Sequence, residues 1–168
     1  MSSATSGERI VLSEHVRAEI DQWVTRFPEG RQRSAVLAAL RAAQHEHGGY
    51  LPTGVLDAVA EYLDLPAIQV YEVATFYSMF ETERCGRHHV SICTNVSCML
   101  RGGDELLRHV EQTLGIRAGD STPDGRIYLK REEECLAACC GAPMMMVDHV
   151  YHENLTPERI DEILEALD

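Results

Sequence analysis

The chain has no apolar run near the roughly 20 residues that span a bilayer, no GxGxxG turn and no CxxC pair. Each absence excludes something. Without a spanning segment, the chain is not expected to insert in a membrane directly. Without a glycine-rich strand-to-helix turn, a nicotinamide or flavin site must lie on another chain. Without CxxC, a thioredoxin-type dithiol catalyst lacks its usual pair of sulfurs within disulfide reach. Basic residues are also scarce: 15 Lys and Arg stand against 27 Asp and Glu, a formal charge of −12. That balance repels a phosphate backbone, so nucleic acid is not an expected partner.

The 168 residues hold only 6 Pro and 12 Gly and are 45% apolar, which excludes collagen-like and low-complexity classes and suits one domain or two small ones. The opening Met1 to Gly7 stretch is Ser-rich and lacks the basic and apolar regions of a signal peptide. The expectation is a cytoplasmic protein. In that reducing compartment clustered cysteines more often hold metal or do redox chemistry than form structural disulfides.

Apolar spacing predicts helices over the first 80 or so residues. Val16, Ile20, Trp23, Val24 and Phe27 form a stripe that starts after Ser13, a good cap, and stops at Pro28 and Gly30. A second helix from about Gln32 to His47 turns Val36, Leu37, Leu40 and Ala43 inward and ends at Gly48 and Gly49. Thr53 is expected to cap a third, bearing Leu56, Val59, Ala60 and Leu63. Pro66 is expected to open a fourth as its first residue, with Ile68, Tyr71, Ala74 and Tyr77 on one face.

After Glu81 the pattern changes. His89 to Cys93 reads as a strand, Asp104 to Leu114 as a helix, and Arg126 to Lys130 as a second strand. Met144 to Val147 and Val150 to Tyr151 read as a hairpin, and Thr156 with Pro157 opens a last helix. The expected fold class is α+β: a helical N-terminal region, 1–81, followed by a thioredoxin-like α/β domain, 82–168, with an open sheet and helices packed on it.

Four of the six cysteines fall into two tight pairs, Cys93 with Cys98 and Cys135 with Cys139. Four residues separate the first pair, three the second, and 36 lie between the pairs. Each pair can converge from one loop at the same end of the sheet, and four gathered thiolates are metal-site chemistry. Zinc and iron–sulfur both accept such a set. The unequal gaps are easier to place around two irons than around one zinc ion, and the two-and-two arrangement differs from the plant-type ferredoxin spacing.

The segments ICTNVSCMLRGG, EECLAACCGAP and VYEVATFYSMF resemble the [2Fe–2S] subunit of NADH:quinone oxidoreductase, respiratory complex I, known as the 24 kDa or E subunit. The resemblance runs from about Val16 onward. It implies a thioredoxin-like domain with one [2Fe–2S] cluster held by Cys93, Cys98, Cys135 and Cys139, and no catalytic residue on this chain. It also implies a partner flavoprotein that carries FMN and the NADH site and passes single electrons to this chain. Other peripheral-arm subunits, on the cytoplasmic side of the inner membrane, would complete the assembly. Similar subunits occur in NAD-reducing hydrogenases and NAD-linked formate dehydrogenases.

The family's second pair commonly reads Cys, Leu, Gly, any residue, Cys, whereas here Ala137 stands for the glycine and Cys140 adjoins Cys139. Cys140 is therefore an alternative ligand; Cys139 is favoured by its spacing. Cys85 is left out of the site, and the paired histidines, His45 with His47, His88 with His89 and His149 with His152, are read as surface or packing residues. Glu132, Glu133 and Glu134 before Cys135 predict a low reduction potential, because negative charge opposes added electrons. Met144, Met145 and Met146 should alternate between sheet faces. They and Phe76, Tyr77, Met79 and Phe80 are candidates to bury against the flavoprotein.

Two competing functions remain: a thiol oxidoreductase of thioredoxin type, and an iron–sulfur transcriptional regulator using the helices around Leu65 and Pro66 as a helix-turn-helix. The segment holding Asp57, Glu61, Asp64 and Glu72 has no Lys or Arg, which counts against DNA.

Overall fold

The computed structural model describes residues 10–131 and 135–168. It divides into two compact units, Met1–Arg84 and Cys85–Asp168. Glu132, Glu133 and Glu134 lie outside the described residues.

The first unit is helical. Helix α1 (Glu14–Val24) starts at Ser13, whose hydroxyl accepts a hydrogen bond from the Val16 N–H at 3.2 Å. A short 3₁₀ turn (Gln32–Ala35) leads into α2 (Val36–Glu46), and α3 (Thr53–Tyr62) and α4 (Ala67–Phe76) follow. Their apolar faces meet in one core that includes Val16, Ile20, Leu40, Val59 and Val70. Polar ties fix the packing at the rim: the Tyr62 hydroxyl donates to Asp21 at 2.9 Å, and that of Tyr71 to Asp57 at 2.8 Å.

Several sequence expectations shift here. Thr53 is the first residue of α3 and its side chain caps nothing; Pro52 holds the cap position. Pro66 is the residue before α4, not its first, because it adopts an extended conformation with ψ 132°. The stripe of α4 is rotated as well: Val70 and Ala74 are buried, whereas Ile68 is 65% exposed. Leu37 is also exposed, because it lies at the margin of the stripe of Val36, Leu40 and Ala43 that α2 buries. Of the apolar group at and after the end of α4, Phe80 is in the core, whereas Phe76, Tyr77 and Met79 are exposed.

The second unit is a mixed four-stranded sheet in the order β2-β1-β3-β4. Strand β1 (His88–Ile92) pairs in parallel with β2 (Ile127–Lys130) and antiparallel with β3 (Met145–Val147), which makes a hairpin with β4 (Val150–His152). The hairpin turn, Asp148 and His149, has positive φ at both residues, the backbone that a two-residue turn needs. Between β1 and β2 lie a four-residue helix, α5 (Val96–Met99), and α6 (Gly103–Leu114); α7 (Pro157–Glu165) closes the chain. Sequence periodicity missed α5, which is too short to show a period.

One face of the sheet supplies Val90, Ile92, Ile127, Leu129, Met145 and Val147 to a core shared with α6 and α7. The methionine run alternates as the strand requires. Met145 enters that core, while Met144 and Met146 pack on the other face with the cysteines. Met144 and Met145 are therefore buried within the unit and unavailable to a partner. Alternation also puts Ser91 on the side of Cys93, Met144 and Met146.

The parallel pair β1·β2 needs a glycine just before it. A Cβ on Gly86 would lie 2.5 Å from the carbonyl carbon of Ile127, a contact with backbone that cannot swing aside. Gly86→Ala is expected to destabilise the second unit by about 2–3 kcal/mol, in the range of overpacked core sites, as read by urea denaturation. A stability within about 0.5 kcal/mol of wild type would contradict the close approach.

A four-cysteine site at the sheet end

Cys93 follows β1 directly, and its N–H donates to the Met144 carbonyl at 3.2 Å, which carries the β1·β3 ladder one step past both strands. Asn95 caps α5 by accepting from the Val96 N–H at 2.9 Å, and Cys98 lies inside this short helix, not in a loop before α6 as its sequence context suggested. The turn after α5 presses back on the cysteines. A Cβ on Gly103 would sit 2.8 Å from the Cys93 carbonyl oxygen and 3.0 Å from the Cys98 carbonyl. Gly103 is therefore the one residue type that lets α6 start this close.

The second pair lies on the segment between β2 and β3. Cys139 opens a single 3₁₀ turn to Gly141, and the Ala142–Pro143 peptide is cis. The Cys135 and Cys139 sulfurs are 3.4 Å apart, and the Ala137 N–H donates to the Cys135 sulfur at 3.4 Å. Ala137 makes that bond with φ +63°, a left-handed conformation that glycine adopts without cost. A glycine here would hold the same turn without that cost.

The two segments converge. Cys93, Cys98, Cys135 and Cys139 line one small cavity of about 40 Å³, together with Asn95, Val96, Ser97, Ala138 and Met144. Cys140 and Cys85 do not line it; Cys140 is exposed, and Cys85 lies 3.2 Å from His89. None of the six cysteines is joined in a disulfide. The histidine pairs also stay outside the cavity. His88, for instance, bonds Asp148 at 2.6 Å.

The four sulfurs are not equivalent. Cys93 and Cys98 are buried in a small apolar cluster with Leu136, Ala142 and Met144, whereas Cys135 and Cys139 are exposed. Burial, with help from a hydrogen bond to Cys93, pushes the Cys98 thiol up to about 11. The Ala137 N–H, then the Cys139 thiol, favour the anion at Cys135 and hold it below the usual thiol range. Cys139, as partner to the Cys135 thiolate, is raised.

As a donor set, four thiols on one cavity suit a thiolate-bound metal centre. Among the described residues no three His, Cys, Asp or Glu side chains are grouped closely enough to hold a single metal ion. Also among the described residues, no helix is long and apolar enough to cross a membrane.

A thioredoxin-like sheet with a cysteine-lined cavity at one end defines a class, and comparison with known proteins gives the family. Residues 20–168 match the model of the thioredoxin-like [2Fe–2S] ferredoxin family, and the chain belongs to it. An iron–sulfur cluster is therefore its cofactor. The chain is 50% identical over 151 residues to the E subunit, numbered 2, of the NADH-quinone oxidoreductase of Rhizobium meliloti (strain 1021), covering 90% of this chain and 88% of that protein. It is 38% identical over 147 residues to the E subunit of the NADH-quinone oxidoreductase of Rickettsia conorii (strain ATCC VR-613 / Malish 7), covering 88% and 87%. Among solved structures, the NAD+-reducing [NiFe]-hydrogenase in the air-oxidized state superposes with a TM-score of 0.67 at 25% identity over 82% of this chain. The chain spans about a quarter, 24%, of that hydrogenase chain.

In metal-free protein, alkylation should separate the thiols. The reactive species is the thiolate, so the lowered Cys135 is expected to be modified first at neutral pH, and Cys98 last, gaining reactivity only as pH approaches about 11. Peptide mass spectrometry of partly alkylated protein reads the order; equal modification of Cys98 and Cys135 at pH 7 would contradict it.

Proposed function

We propose that this chain is the electron-transferring E subunit of an NADH:quinone oxidoreductase and holds one [2Fe–2S] cluster through Cys93, Cys98, Cys135 and Cys139. The observation that carries the ligand set is the shared cavity lining of these four sulfurs, from which Cys140 and Cys85 are absent. The choice of complex is supported by the relatives from that enzyme, at 38% to 50% identity over nearly the whole of both chains.

Bound to these sulfurs, a [2Fe–2S] cluster would supply one-electron transfer. The residues set its surroundings. Cys93, Cys98 and Met144 present a buried inner wall, and the Ala137 N–H donates to the Cys135 sulfur, the kind of bond that raises a reduction potential. The exposed Cys135 and Cys139 give the outer wall, where a donor on another chain can approach.

On this reading a flavoprotein partner binds NADH and FMN and delivers single electrons to the exposed side. Val96 of α5 lines the cavity and is exposed, as are Met99 and Leu100 at the end of that helix, with Leu100 76% exposed. The assembly would be a peripheral arm on the cytoplasmic side of the inner membrane. A second reading, the corresponding subunit of an NAD-reducing hydrogenase, is favoured by the TM-score of 0.67 to that enzyme. Its coverage of only 24% of the hydrogenase chain makes it the weaker of the two. A thioredoxin-type thiol oxidoreductase would instead show disulfide reductase activity without iron.

Anaerobically prepared protein is expected to hold about two irons and two sulfides per chain and to give a paramagnetic resonance signal on reduction. Zinc in their place, or neither metal after reconstitution, would overturn the proposal. Cys139→Ser is expected to lose iron and Cys140→Ser to keep it; the reverse result would move the ligand by one residue. Leu100→Glu, which places a charge on this exposed apolar group, should leave iron content unchanged and lower co-purification with the flavoprotein at least tenfold, about 1.4 kcal/mol of binding.

A further inference from the structure

Four consecutive carbonyls, from Gly141 to Met144, follow the second cysteine pair, and each accepts one hydrogen bond. Gly141 accepts from the Asn154 N–H at 2.7 Å, Pro143 from the Leu155 N–H at 3.0 Å, and Met144 from the Cys93 N–H at 3.2 Å. Those donors are backbone groups, fixed wherever the sheet and the β4–α7 connection are folded. Ala142 is different: it is buried, and its carbonyl accepts from a side chain, Arg101 Nη1, at 2.7 Å.

Arg101 stands three residues after Cys98, and Ala142 three after Cys139. The bond therefore links the segment that carries the first cysteine pair to the segment that carries the second. It is the side-chain counterpart of the Cys93–Met144 backbone bond. A guanidinium donor makes a stronger bond than a neutral one, and a buried carbonyl that loses its donor has no water to replace it.

We infer that Arg101 is a positioning residue that clamps the Cys135–Cys139 segment against the Cys93–Cys98 segment and so sets how slowly the site releases its metal. The inference rests on the proposal that these four cysteines hold the cluster. Arg101 itself touches no reacting atom; it acts through the Ala142 carbonyl. When the clamp opens, the exposed pair loses its side-chain tie to the first segment and keeps only the backbone bonds of Gly141, Pro143 and Met144, while the buried pair stays held by β1 and Gly103.

The test uses the full chain, reconstituted anaerobically, with cluster loss to excess iron chelator followed by visible absorbance. Arg101→Met keeps most of the apolar stem and removes the donor, and it is expected to lose the cluster about tenfold faster than wild type. Arg101→Lys, which still offers a charged donor without the planar fork, is expected to fall between the two. Metal-free wild type and Arg101→Met are expected to melt within about 2 °C of each other.

Release from Arg101→Met at the wild-type rate would overturn the inference, as would equal release from Arg101→Lys and Arg101→Met. A metal-free Arg101→Met that melts far below wild type would reduce the residue to a general fold support. Should Arg101→Met fail to fold, Arg101→Lys decides alone, and a rate equal to wild type would sink the clamp. Wild-type protein that takes up no iron would instead refute the ligand set, a separate result.

Discussion

The antiparallel pairing of β1 with β3 is the constraint on which the site depends. It places Cys93 opposite Met144, and the Cys93 N–H continues the ladder beyond the strands to the Met144 carbonyl. Because side chains alternate, the same register that sends Ile92 and Met145 into the helical core sends Cys93 and Met144 to the other face. A slip of one residue would exchange these sets, burying the thiol among leucines and turning the core methionine toward the cavity. Core and site are thus specified by one register.

Around that pairing the site is built from two unlike halves. The inner pair of cysteines is immobilised by strand, short helix and the close packing of Gly103, and burial raises the Cys98 pKa. The outer pair sits on a turn, exposed, with Cys135 favoured as anion by the Ala137 N–H. The asymmetry follows from chain topology: the first pair lies at the buried β1-to-α5 junction, the second on the exposed connection from β2 to β3.

Much of this arrangement could be read from the residues. The Ser13 and Thr156 caps, the hairpin at Asp148 and His149, the methionine alternation and the four clustered cysteines all carry local physical signals. What escaped lay at helix ends or had tertiary causes. Pro66 and Thr53 each stand one step from the helix position that their chemistry predicts, the usual play of a helix end. Ile68 looked like a core residue on spacing alone, yet the bundle buries Val70 instead. Arg101 gave no signal at all: an exposed arginine between a leucine and two glycines is ordinary until its carbonyl partner, 41 residues away, is seen.

Ala137 has a bearing on how such a site is filled. Its left-handed backbone stores roughly 1 kcal/mol that an extended conformation would release. Under the proposed ligand set, the turn carrying the outer cysteines is the part with most to gain by opening, and the inner pair the part with most to lose. Neither Cys93 nor Cys98 lies beside such a left-handed residue, so the two halves of the site differ in backbone ease as well as in exposure.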